Sequence, residues 1–136
     1  QKPLFYAIND AHLRGIDNVK FIRGNFNALL PLLKSETVNT TYYLFPNPPH
    51  DYFHQRANAG RRRFLEMLYS SLIKGGRFIF ATDSIDYYNC MEKIIARELS
   101  YTHFSLDFES SGISTWYRSI WESRGKVIMG IVVVKR

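Results

Sequence analysis

Apolar strand-like runs alternate along the chain with stretches whose apolar residues recur at helical spacing. Tyr42, Tyr43, Leu44 and Phe45 form an apolar run that stops at Pro46-Asn47-Pro48-Pro49. Proline cannot donate to a sheet ladder, so a strand over 41–45 must end there. Further on, Phe64, Leu65, Leu68, Leu72 and Ile73 lie on one helical stripe. Lys74-Gly75-Gly76 is the expected stop, because glycine takes the left-handed conformation that a helix C-terminus needs. Phe78, Ile79 and Phe80 then predict a second buried strand over 77–82, ending at Ala81-Thr82-Asp83. Strand, loop, helix and strand make one βαβ unit with polar groups at both strand ends. In open α/β sheets, ligands collect at those carboxyl ends.

The pattern continues on both sides of this unit. Residues 3–14 read as the end of a helix stopped by Gly15. Val19, Phe21 and Ile22 predict a short strand over 19–23. Leu29, Leu30, Leu32 and Leu33 predict a short helix, with Pro31 acceptable near its first turn. After Asp83, the spacing of Tyr88, Met91, Ile94, Ile95 and Leu99 predicts a helix over 85–99, with Asp83 or Ser84 as N-cap. Residues 101–108 alternate as a strand does, and 115–124 suit a short helix capped by Ser114 or Thr115. Residues 127–134 are apolar and rich in β-branched side chains, as in a well-covered strand. The first three strands alternate with helices and are expected to be parallel. The last two follow each other without a crossover helix, which leaves the final one open to antiparallel pairing. The fold class is therefore α/β: a mostly parallel sheet with an antiparallel C-terminal strand and helices on both faces.

Composition adds a partner class. The 136 residues are expected to form one domain, and 46% hydrophobic with 22% charged content is ordinary for a soluble chain. A formal charge of +6 and a pI near 9.6 favour a polyanion such as nucleic acid, although many soluble domains are equally basic. Cys90 is the single cysteine, so no disulfide framework is possible and a reducing cytoplasm is expected. No apolar run approaches the ~18 residues of a membrane span. His50 and His54 share one loop but lack further ligands at metal-binding spacing, so no metal is expected. Arg61-Arg62-Arg63 would add about three phosphate contacts if they face RNA. The alternative is a solvated helix start, although arginine is unfavourable there against the helix dipole. Trp116 and Trp121 are expected to pack rather than to stack on bases. The chain begins at Gln1 in mid-helix, so an N-terminal part is expected to be absent.

The stretch from FPNPP through RRRFL to LIKGGRFIFATDSIDYYNCM resembles the bacterial tRNA (guanine-N7-)-methyltransferase family. That family carries a Phe-Pro-Asp-Pro-Trp-Pro-Lys segment, a basic stretch, a helix with a Gly-Gly turn and an Ala-Thr-Asp strand end. The matching residues are Phe45-Pro46-Asn47-Pro48, His54 and Arg56, Gly75-Gly76, and Ala81-Thr82-Asp83 with Tyr87 and Met91. Near the C-terminus, Thr115-Trp116-Tyr117-Arg118 and Arg124-Gly125 match the family's Thr-x-(Tyr/Phe)-Glu and basic-Gly turn. Gly24-Asn25-Phe26 stands where the family usually has Gly-Asp-Ala. The resemblance covers nearly the whole chain but only about the last two-thirds of a family member.

The resemblance implies a Rossmann-like methyltransferase sheet. It implies transfer of a methyl group from S-adenosylmethionine to N7 of a guanine in tRNA, by a cytoplasmic monomer or homodimer. Asn47 is then the candidate catalytic residue, with Asn25 and Asn47 toward the cofactor. Asp51, Asp83, Thr115, Tyr117 and Arg118 fall on substrate positions, and His54, Arg56, Arg61, Arg62 and Arg63 are the RNA-binding candidates. The family's glycine-rich first loop and the acid of its second strand have no counterpart here, so this stretch alone is expected to bind the cofactor poorly. Four positions depart from the family. Asn47 and Asn25 replace acids, Asp51 replaces a lysine, and Arg118 replaces a glutamate and could meet a phosphate. Two alternatives stay open: a catalytically silent RNA-binding homologue, or a methyltransferase of the same fold with a small substrate. Asn47 itself reads either as a turn residue between prolines or as an amide that both donates and accepts at the site. Guanine N7 is a lone-pair acceptor with no proton to remove, so the reaction needs alignment and a tuned field, not a strong base.

Overall fold

The computed structural model describes residues 2–47, 55–98, 103–105 and 112–136. They fall into two compact units, Gln1–Leu32 and Leu33–Arg136. In the first unit, helix α1 (Lys2–Leu13) ends at Gly15, whose φ of 66° matches the expected stop. Helix α2 (Phe26–Leu29) runs on into a 3₁₀ turn, Leu30–Leu32, that accommodates Pro31. The expected strand over 19–23 is not formed. Those residues are irregular, and Phe21 and Ile22 are exposed. An apolar run becomes a strand only where another strand takes up its N–H and C=O groups, and no ladder reaches this segment.

The second unit is built on a sheet in the order β1-β2-β4-β3. Its strands are β1 (Val38–Leu44), β2 (Leu72–Thr82), β3 (His103–Ser105) and β4 (Met129–Val134). β1 and β2 pair in parallel from Thr40↔Arg77 to Leu44↔Ala81. β4 runs antiparallel to both β2 and β3, so three strands point one way and β4 against them. This is the mostly parallel sheet with a reversed C-terminal strand that the sequence predicts.

The boundary between helix and strand differs from expectation. Helix α3 (Gln55–Ser71) stops before Leu72, which joins β2 and pairs with Val38. Leu72 fits a helical stripe and a buried strand equally, and periodicity alone cannot separate the two. Between Leu72 and Arg77 the ladder is irregular, and Gly75 (φ 76°) carries the bend. The Gly75 N–H donates to the Lys135 carbonyl at 2.7 Å, and the Lys135 N–H returns to Gly76 at 2.9 Å. The Lys135 ammonium reaches the Leu72 carbonyl at 2.7 Å, closing this end of the sheet.

One face of the sheet holds the core. Phe78 and Phe80 of β2 and Ile131 and Val133 of β4 are buried with Leu65 and Leu68 of α3. Tyr87, Met91 and Ile95 complete it from helix α4 (Ile85–Glu98), one per turn. Each such side chain contributes about 1.5–3 kcal/mol on burial. On the opposite face Ile79 and Ala81 pack with Leu44, Phe45, Ile113, Ile128 and Val132. Helix α5 (Trp116–Ser123) is capped by Thr115, whose hydroxyl accepts the Arg118 N–H at 3.0 Å. Of the two candidates for the start of α4, Ser84 is the cap. Its hydroxyl accepts the Tyr87 N–H at 3.3 Å, leaving Asp83 free of that role.

Two outcomes follow for stability. A Cβ at Gly76 would meet the carbonyl oxygens of Ile73 at 2.8 Å and Asn39 at 3.0 Å. Neither backbone can give way within the ladder, so Gly76→Ala is expected to lower unfolding free energy by about 1–3 kcal/mol. Urea titration should show a lower midpoint with an unchanged slope. The second concerns Tyr88, which donates to Glu92 at 3.4 Å. Partial burial, and then the negative charge and hydrogen bond of Glu92, raise its pKa above the ordinary tyrosine value. The folded chain therefore holds this proton more tightly than the unfolded one. Stability from this group is intact below the ordinary tyrosine range and falls as pH rises through it. In Tyr88→Phe the loss of stability above pH ~10 should be smaller than in the parent; an equal loss in both would show that Tyr88 is not linked to folding.

Candidate functional site

The parallel register brings two strand ends to one level. The Phe45 N–H makes one last bond, to the Ala81 carbonyl at 2.8 Å, and Pro46 has no N–H to continue. Phe45 sits at φ 49°, a left-handed conformation that costs a non-glycine residue about 1–3 kcal/mol. The chain is thus turned sharply off the sheet at the point where the proline-bounded segment begins. Beside it, the Thr82 hydroxyl accepts the Ser84 N–H at 3.2 Å and bends the end of β2 into α4.

A cavity of about 420 Å³ opens at this edge. Phe45, Pro46 and Asn47 line it from the segment after β1, and Asp83, Ser84 and Ile85 from the end of β2. Tyr117 and Trp121 of α5 form another wall, with Lys126 from the approach to β4. The rings of Phe45 and Tyr117 lie 5.7 Å apart at 32°, and Tyr117 and Trp121 are 6.2 Å apart. The volume lies within the range of about 300–1,000 Å³ typical of small-ligand sites.

The charges at the site are of two kinds. Lys126 Nζ stands 3.6 Å from Asp83 Oδ2, with half of the lysine side chain exposed. A long, half-solvated pair of this kind contributes little to stability, so both partners can turn to a ligand. Arg118 is committed within the protein. Its Nε lies 2.7 Å from Glu122 Oε1, its Nη1 donates to the Ile113 carbonyl at 3.1 Å, and its side chain is only 17% exposed. It ties residues 113–118 together beneath Tyr117. The Trp121 ring lies 5.1 Å from Lys126 Nζ and 5.2 Å from the Arg124 guanidinium. Its Nε1–H is buried and has no acceptor among the described residues.

Of the residues singled out in the sequence, Asn47, Asp83 and Tyr117 meet at this cavity. Thr115 and Arg118 support α5 instead of lining it. Asn25 lies in the first unit, where its carbonyl accepts the N–H groups of Ala28 and Leu29 at the start of α2. Arg62 and Arg63 are exposed on α3, Arg62 at 2.9 Å from Glu66. Arg56 and Arg61 belong to the same helix, while Asp51 and His54 fall outside the described residues. Trp116, expected to pack, is 76% exposed. Sequence reasoning missed Lys126 and assigned Trp121 to packing alone. The signal was local and weak: a lysine directly after the Arg124-Gly125 turn and an aromatic one turn beyond Tyr117. No group of three or more potential metal ligands is found among the described residues. No described helix is long and apolar enough to cross a membrane.

Known proteins are similar to this chain in sequence and in fold. The chain is 28% identical to the tRNA (guanine-N(7)-)-methyltransferase of Rubrobacter xylanophilus over 98% of its length. It is 25% identical to the enzyme of the same name from Chloroherpeton thalassium over 99%. The chain spans about 62% of the length of each of these relatives. An rRNA methylase from Streptococcus thermophilus superposes with a TM-score of 0.65, covering 99% of this chain and 68% of that one. At 12% identity that likeness speaks for the fold alone. A family model described as "Putative methyltransferase" matches residues 1–129, and with nearly the whole chain so matched, the protein belongs to this methyltransferase family.

Proposed function

We propose that the protein is a cytoplasmic tRNA methyltransferase that places a methyl group on N7 of a guanine. The observation that carries this reading is the meeting of Asn47 and Asp83 on one aromatic-walled cavity at the carboxyl edge of β1 and β2. S-adenosylmethionine, when bound, supplies an electrophilic methyl group on a sulfonium. Asn47 is the residue at this cavity that would hold its reacting end, through a side-chain amide that donates and accepts. The donor set fits the reacting end of that molecule, because Asn47 is neutral and can turn its amide oxygen toward positive charge.

The remaining work falls to the base and the RNA. Phe45 and Tyr117 offer aromatic surface to a base turned out of its stack. Asp83 accepts hydrogen bonds from the base. Attack by the N7 lone pair leaves the purine positively charged, which makes its N–H groups better donors. A carboxylate facing them binds the transition state more tightly than the ground state, and only such a difference accelerates the chemical step. Exposed Arg62 and Arg63, with Arg56 and Arg61, supply positive charge for tRNA phosphates, and His54 a hydrogen-bond donor.

Incubation of the protein with tRNA and labelled S-adenosylmethionine should yield 7-methylguanosine on nuclease digestion. Asn47→Ala should lower kcat about tenfold with little change in KM for tRNA, as expected when an interaction of the transition state is lost. Asn47→Asp, which places a full negative charge near the sulfonium, should raise kcat. Label that appears on another atom, or no transfer to tRNA at all, would sink the reading.

A further inference from the structure

Lys126 is the one cation lining the cavity among the described residues. We propose that Lys126 reads O6 of the target guanine while Asp83 takes its N1–H and 2-amino group. The two side chains together then stand in for the edge of cytosine. The proposal rests on the reading of this cavity as the guanine site.

Cytosine recognises guanine by presenting two acceptors and one donor side by side. Asp83 presents two carboxylate oxygens, and Lys126 places an ammonium 3.6 Å from one of them. The Trp121 ring lies 5.1 Å from that ammonium, which holds it against the cavity wall by cation–π attraction. Phe45 and Tyr117, 5.7 Å apart, supply aromatic surface for the face of the base. Binding guanine by its Watson–Crick edge, as cytosine does, leaves N7 unengaged on the adjoining major-groove edge, next to O6. The atom to be methylated is thereby left open. Adenine is rejected twice over: its 6-amino group would face the ammonium, and its N1 lone pair would face the carboxylate. Such mismatches separate similar ligands more sharply than added attraction does. The hydrogen bond to O6 is made when the base enters the cavity, so its loss weakens binding of the guanine-containing RNA.

The test uses tRNA carrying guanine, 6-thioguanine or inosine at the target position. Sulfur at position 6 is a poor acceptor, and inosine lacks the 2-amino group. The parent protein should favour guanine over 6-thioguanine by about tenfold or more in kcat/KM, the effect of one charge-assisted hydrogen bond. In Lys126→Met that preference should fall to near unity while the penalty for inosine remains. Lys126→Arg should keep most of it, and Asp83→Asn should lose the inosine penalty instead. Lys126 is half exposed, so the methionine variant is expected to fold, and far-ultraviolet circular dichroism checks this. Equilibrium binding of the same three RNAs without a methyl donor reads the same ratios independently of chemistry. Absence of methyl transfer by the parent would defeat the functional reading alone. A parent that does not distinguish guanine from 6-thioguanine would overturn this inference. So would a Lys126→Met variant that weakens all three RNAs equally and lowers the salt slope by about 1, the mark of a phosphate contact.

Discussion

The parallel pairing of β1 with β2 is the constraint on which the site depends. Their register runs without interruption from Thr40↔Arg77 to Leu44↔Ala81, so the two strands finish level with each other. The Phe45 N–H spends its bond on Ala81 at 2.8 Å, and the proline that follows has none to offer. The chain must leave the sheet there, beside the turn that carries Asp83. A slip of one residue would reverse the faces of β1 and expose Tyr43, which now packs on Phe64 and Phe80 at 5.3 and 6.1 Å. The buried face therefore enforces the alignment of the two loops.

The fastened end of the sheet and the candidate site lie at opposite ends of its strands. At the edge where β2 begins and β4 ends, Lys135 is held by Leu72, by Glu36 at 3.3 Å and by the ring of Tyr69 at 5.3 Å. That ammonium is mostly buried and fully engaged. At the other edge Lys126 has a loose partner in Asp83 and half its side chain in solvent. The same residue type serves as a fastener in one place and as an available charge in the other. What separates the roles is desolvation: a buried charge must be paired within the fold, whereas an exposed one can exchange water for a ligand. Arg118 follows the same logic. It was expected at a substrate position, yet Glu122, one turn on, pairs with it. The pair lies within α5, and the second contact of Arg118, to the Ile113 carbonyl, ties the helix to the segment before it.

Much of the second unit was legible in the sequence because its signals are local. Pro46 marks the end of β1, Ser114 or Thr115 the start of α5, and the β-branched run the covered strand β4, whereas Gly75, read as the helix stop, lies within β2 because α3 already ends at Ser71. The departures came where one residue satisfies two patterns. Leu72 continues the helical stripe of Leu65 and Leu68, yet belongs to the sheet, because Val38 lies opposite to receive it. Val19, Phe21 and Ile22 alternate as a strand would, yet no ladder forms on them. A strand is a property of two segments, and a one-dimensional pattern describes only one of them.

By itself the sequence determined most elements of the second unit, the stop of α1 at Gly15 and the methyltransferase family, and it pointed to Asn47, Asp83 and Tyr117 as candidates. These depend on contacts within a few residues or on residue identity, and both can be read along a chain. Tertiary structure alone decided that Lys126 stands beside Asp83 and on Trp121, that Arg118 turns inward, and that β4 lies between β2 and β3. Each of those outcomes joins segments distant in sequence, and what brings them together is burial of the apolar face they share.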